Sequence, residues 1–212
     1  MKIGVIGASG KAGRVIAQEA ASRGHEVTAI VRQAASVADI GLKVLEKDVF
    51  QLTAQDLSVF DAVVNAFGAA PGQEHLHVEA GRSLIAALQG APHTRLLVVG
   101  GAGSLYVDEA KTVRVVDTPE FPELYKATAL NQAQNLQDLK QSEGIRWTFV
   151  SPSAFFNPEG RRTGAYRTGL DHLLVNSGGD SYVSYADYAI AIVDEIEKPQ
   201  HEQARFTVVS EA

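Results

Sequence analysis

The sequence contains no cysteine, one methionine and one tryptophan among 212 residues. Without thiols there are no disulfides, no thiolate metal sites and no cysteine nucleophile, and the chain is compatible with a reducing compartment. Long apolar runs are missing as well. After Met1-Lys2 the run Ile3 to Ile6 meets Gly7 at once, too short for a signal peptide or a membrane span, so a cytoplasmic location is expected. Nor is there a cationic excess: 19 Lys and Arg face 25 Asp and Glu, a formal charge of -6. Sequence-independent nucleic-acid binding needs clustered cations to displace counterions, so neither nucleic acid nor membrane is an expected partner. Arg161-Arg162 reads as a solvated loop. His75 and His77, two apart on a helix, point to different faces and make no metal site.

What is present is ordinary globular composition, 45% hydrophobic and 21% charged. The length fits a single domain spanning residues 1–212. Short apolar runs at Ile3 to Ile6, Glu26 to Val31, Leu42 to Glu46, Asp61 to Asn65, Arg95 to Val99 and Trp147 to Val150 predict six strands. Between them, apolar residues recur at helical spacing from Lys11 to Gly24 and from His75 to Gln89, and Glu120 to Ser142 carries helix-favouring Ala, Leu, Gln and Lys up to a stop at Gly144. Strands alternating with helices at this spacing predict an α/β fold, a Rossmann-type doubly wound parallel sheet whose ligands lie at the strands' C-terminal edge. The remainder is a small irregular C-terminal portion: Pro158 to Asp180 is Gly- and polar-rich, Tyr188 to Ile196 predicts a helix and Arg205 to Val209 a closing strand. Tyr182, Tyr185 and Tyr188 read mainly as packing residues.

The turn Gly7-Ala8-Ser9-Gly10-Lys11-Ala12-Gly13 follows the first strand and opens the first helix, which is the context of a dinucleotide fingerprint. Gly7 would permit the tight turn, Gly10 the approach of backbone to the pyrophosphate, and Gly13 close packing, with phosphate drawn to the helix N-terminus. NAD-selective sites usually carry Asp or Glu at the end of the second strand, but here that strand ends in Arg32, a residue suited to the 2′-phosphate of NADP. NADPH is therefore the expected cofactor, with NAD as the alternative. Further strand ends meet the same edge: Asp48-Val49, Ala66-Phe67-Gly68, Gly101 within the run Gly100 to Gly103, and Pro152-Ser153. Gly68 and the Gly100 to Gly103 run would let backbone approach the ligand, and the proline would fix the chain beyond the sheet edge. Phe155 and Phe156 either wall the acceptor pocket or belong to the core.

These motifs, together with Asn65 to Gly68, Ser151 to Phe156 and Ser184 to Ala189, resemble the atypical short-chain dehydrogenase/reductases, and within them the NmrA-like, NADH-flavin reductase group. The resemblance covers nearly the whole chain. It implies a Rossmann fold, bound NAD(P) and, as in relatives of the biliverdin reductase B type, hydride transfer to flavins. Catalytic members of the wider superfamily use a Tyr-x-x-x-Lys pair, whereas here Tyr125 is followed four positions later by Ala129. Lys126 adjoins Tyr125 but points about 100° away from it. Ser104, Tyr125 and Lys126 are thus the candidates for catalysis, with no established role. The expected function is an NAD(P)H-dependent oxidoreductase passing hydride to a flavin, quinone or similar planar acceptor, the flavin being a substrate and not a tightly held group. The alternative is a non-catalytic NAD(P)-binding sensor or regulator of the NmrA-like type.

Overall fold

Side chains in the first strand, β1 (Lys2–Ile6), alternate between two buried faces, with Ile3 and Val5 on one and Ile6 on the other. A strand apolar on both sides needs a sheet covered on both faces. The computed structural model describes residues 1–211 and has that arrangement. After β1 come α1 (Lys11–Ser22), β2 (Glu26–Val31), β3 (Lys43–Glu46), α2 (Ala54–Leu57), β4 (Ala62–Asn65), α3 (Leu76–Gln89) and β5 (Arg95–Val99). They are followed by α4 (Glu123–Gln141), β6 (Arg146–Pro152), β7 (Phe155–Asn157), β8 (Tyr166–Gly169), β9 (Tyr182–Ser184), α5 (Tyr185–Glu197) and β10 (Ala204–Ser210).

Eight strands form one sheet in the order β3-β2-β1-β4-β5-β6-β10-β8. All its pairings are parallel except β10 with β8, which is antiparallel. One face is covered by α1 and α5, whose Ile16, Ala20, Tyr188 and Ile192 pack on Val5, Val64 and Val150. The other is covered by α3 and α4, where Leu84, Leu88, Leu136 and Leu139 pack on Val63, Leu96 and Phe149. This is the Rossmann-type α/β architecture. No helix among the described residues is long and apolar enough to cross a membrane.

The structure departs from the sequence reading mainly after β6. Pro152 does not lie beyond the sheet edge: it is the last residue of β6, buried, and paired in register with Val208 of β10. The polar stretch Pro158 to Asp180 contains β8, which extends the sheet, and β7 pairs with β9 in a separate two-stranded ladder. Helix α5 begins at Tyr185, three residues before the periodicity starts, because Ser184 caps it and accepts from the Asp187 amide at 3.0 Å. Asp187 itself is buried and holds the segment before β8 in place. It accepts from the Thr163 amide (2.9 Å) and hydroxyl (2.8 Å), the Gly164 amide (3.0 Å) and the Ser210 hydroxyl (2.7 Å). Burial pushes this carboxyl up, yet the hydrogen bonds prevail and hold it below its ordinary value.

Candidate functional site

The chain runs from β1 to β2 and β3 on one side and to β4, β5 and β6 on the other, so the switch point of the sheet lies beside β1. Open α/β sheets bind ligands in the crevice outside the strands' C-terminal ends at such a point. There the Gly7–Gly13 turn leads into α1. Gly7 has φ +73°, and a Cβ on it would lie 2.5 Å from the Ala66 carbonyl, so both conformation and closeness to β4 require glycine. Its amide donates to Ile30 O at 3.0 Å, and the Gly10 amide donates to Gly7 O at 2.9 Å. Gly13 packs directly on the Gly7 carbonyl, where a Cβ would overlap it. Beyond Gly10 no side chain caps α1 and no acidic residue occupies its first turn. Ser9, Gly10 and Lys11 are exposed, while Ala8 is buried. A twelve-residue helix thus presents unsatisfied N–H groups and the positive end of its dipole at the crevice, a cradle suited to a pyrophosphate.

Around this turn the neighbouring strand ends form two walls. On the β2 and β3 side Arg32 is exposed and forms no hydrogen bond or ion pair among the described residues. Asp48 caps a 3₁₀ turn by accepting from the Phe50 amide at 3.0 Å, and Val49 is buried beneath it. On the β4 side the Asn65 Oδ1 accepts from the Phe67 amide at 3.1 Å and turns the chain into Gly68, which faces open space. The Phe67 ring meets Phe50 edge-on at 6.0 Å and His77 at 5.7 Å, and His77 Nε2 accepts from the Ala69 amide at 3.4 Å. Burial pushes the His77 imidazole below its ordinary value, which suits an accepting ring nitrogen. His77 was invisible as a site residue in sequence, because only the fold brings α3 over the loop after β4.

The remaining expectations are partly redirected. The space a Cβ on Gly101 would take is filled by the Gln132 amide, and Gly100 lies under the Phe149 ring, so these glycines serve helix and strand packing, not ligand approach. Ser104 is buried, and its hydroxyl and carbonyl oxygens each accept from Arg205 at 2.9 Å, so the hydroxyl oxygen is engaged in a structural contact with β10. The Ser153 hydroxyl is likewise spent, donating to Val208 O at 2.7 Å. Phe156 packs against Tyr185 (4.0 Å) and Tyr188 (4.7 Å) and so belongs to the core side, whereas Phe155 is 60% exposed beside Tyr182 at 5.7 Å. Tyr125 lies in the first turn of α4, 59% exposed, and Lys126 pairs with Glu123 at 3.3 Å. Tyr188, wholly buried, donates to Val150 O at 2.7 Å, and burial pushes its phenol far above the ordinary value, so it is a structural residue.

A family model described as NAD(P)H-binding matches residues 7–199, from the glycine turn to the end of α5. The chain belongs to this NAD(P)H-binding family. Within it, the uncharacterized protein YwnB of Bacillus subtilis is 68% identical over 212 residues, the whole of both chains. Among solved structures, a Streptococcus pneumoniae protein provisionally named an NADH-flavin reductase is 47% identical, with TM-score 0.94 over 100% of each chain. A Bacteroides thetaiotaomicron protein provisionally named an epimerase is 35% identical, with TM-score 0.86 over 100% of this chain and 97% of its own. The match starts at the turn that forms the cradle, and the resemblance to the atypical short-chain dehydrogenase/reductases holds.

Proposed function

We propose that the protein is an NAD(P)H-dependent oxidoreductase that prefers NADPH and reduces a flavin, quinone or comparable planar acceptor. The observation that carries this reading is the uncapped N-terminus of α1 under the Gly7–Gly13 turn at the sheet's switch point. The N–H groups around Gly10 to Gly13 would hold the pyrophosphate. Val49, Phe67 and Gly68 would border the adenine half, with Asp48 fixing the loop beneath it. Arg32, exposed and unpaired, would take the 2′-phosphate. Ala66 would border the crevice beside Gly7, whereas Gly101, Pro152 and Ser153 are packed or engaged within the fold. Phe155 offers an exposed ring after β6, against which a flat acceptor can stack.

The bound nicotinamide supplies the hydride; the chain orients the acceptor and excludes competing reactions. A planar acceptor that takes hydride can be protonated by water, which fits a site where Ser104 is engaged by Arg205 and Tyr125 has no lysine partner. The provisional name of the pneumococcal neighbour supports the same class. The lack of thiols agrees with a role in the reducing cytoplasm.

The test is NADPH and NADH oxidation by the purified protein against FMN, FAD, riboflavin and quinones, with calorimetric titration of both cofactors. Turnover with at least one planar acceptor is expected. Tight cofactor binding without turnover across the panel would favour an NAD(P)H-responsive regulator, and no binding would reject the assignment. Arg32→Ala should weaken NADPH by roughly tenfold to 150-fold, the equivalent of about 1.5–3 kcal/mol for a charge-assisted hydrogen bond, and leave NADH nearly unchanged.

A further inference from the structure

The end of β2 lacks a carboxylate in sequence, but the fold brings one there from the adjacent strand. Glu46 is the last residue of β3 and pairs in register with Val31, the last residue of β2. Its Oε2 accepts a hydrogen bond from the Ala34 amide at 2.6 Å, two residues past Arg32. No other hydrogen bond or ion pair to Glu46 is present among the described residues, so its second oxygen is free. The surrounding cations are committed elsewhere: Lys43 to Glu26 at 2.6 Å, Lys47 to Asp56 at 2.6 Å and Arg14 to Asp39 at 2.6 Å. Arg32 and Glu46 therefore stand at neighbouring strand ends, Arg32 following the strand next to β1 and Glu46 one strand further out, both exposed and not neutralising one another.

A dinucleotide site tells NAD from NADP by what meets the ribose 2′ position: a carboxylate accepts the hydroxyl, a cation binds the phosphate. What matters is the position of the carboxylate in space, not the strand that supplies it. Resting on the assignment of Arg32 to the 2′-phosphate, we infer that Glu46 is its specificity-determining counterpart. The free oxygen of Glu46 accepts the ribose 2′-hydroxyl of NADH, and its charge repels the 2′-phosphate of NADPH. The protein therefore uses both cofactors, and Glu46 holds the preference for NADPH well below what Arg32 alone would give.

The experiment is calorimetric titration of NADH and NADPH into the unaltered protein, Glu46→Gln and Arg32→Ala, at low and high salt, with Tm recorded for each. Gln retains an oxygen that can accept from the Ala34 amide, so the substitution removes charge while the local turn persists. In this water-exposed setting, removing one like charge from beside a phosphate should tighten NADPH binding by about threefold to tenfold, an effect that shrinks as salt rises. NADH binding should stay the same or weaken. A Glu46→Gln variant whose two affinities move together, or do not move, would overturn the inference and reduce Glu46 to a cap of the Ala34 turn, whatever its Tm. Selective loss of NADPH in Arg32→Ala under that same outcome would leave the cofactor assignment standing. Failure of the unaltered chain to bind either cofactor would overturn both.

Discussion

At Ala129 a methyl group lies 2.6 Å from where a Cβ on Gly103 would sit. The position at which the wider superfamily keeps a lysine is therefore buried against backbone, with no room for a long cationic side chain. Tyr125 is left exposed on the first turn of α4, with Ala129 and not a lysine four positions after it. Tyr125→Phe is accordingly expected to keep flavin-reducing activity within about twofold, whereas loss of a genuine general acid costs ~10²–10⁴-fold. A thousandfold fall in kcat with cofactor affinity intact would restore Tyr125 to catalysis. Phe155→Ala should act differently. Its ring is mostly in solvent, so truncation costs the fold little, but it should raise the acceptor's KM severalfold and leave the cofactor's Kd alone. Steady-state kinetics with each substrate varied in turn separates the two effects.

Within the β1-turn-α1 element, two glycines that look alike in sequence do different work. A Cβ on Gly10 meets only Gly7 O, at 3.2 Å, and otherwise points into the open crevice. On Gly13 it would overlap the Gly7 carbonyl and approach Ala8 Cα at 3.1 Å. Gly10→Val should thus abolish cofactor binding with a small change in Tm. Gly13→Val should lose binding and also stability, by about 1–3 kcal/mol or more from forced overpacking. Chemical denaturation and cofactor titration of both variants check this contrast. This element was legible in the sequence because its signals are local: an apolar strand, glycines at fixed offsets, then helical periodicity. The β7–β9 ladder was not, since each strand has three residues and its register depends on chain segments more than twenty positions apart. Glu46 escaped for a similar reason: its meaning comes from the β2–β3 pairing, not from its neighbours in sequence. The Gly100 to Gly103 run misled because glycine admits a ligand and a packed side chain equally well, and here Phe149, Gln132 and Ala129 fill the space.

Across the whole molecule, carboxylates bound more tightly than their protons tie the fold to pH. Hydrogen bonds from Lys47 and Thr53 pull the Asp56 carboxyl down from 3.8 to about 2. A lowered value in the folded state means that the unfolded chain takes up the proton first. The stabilisation is complete above 3.8 and is lost as pH falls towards about 2. Denaturation midpoints measured across that interval should decline, and Asp56→Asn should flatten part of the decline while lowering stability at neutral pH. An unchanged acid limb in the variant would show that Asp56 is not one of the groups responsible.

The sheet order also has a temporal side. β10 is inserted between β6 and β8, although both of those strands precede it in the chain. During synthesis β8 emerges before its only sheet neighbour exists, and the interval from Gly169 to Ala204 occupies about 2–7 seconds at typical elongation rates. Through that interval the β6 edge has unpaired N–H and C=O groups. A nascent chain stalled there would present a ready pairing edge to a chaperone, or to another unfinished copy, until residues 204–210 arrive to close it.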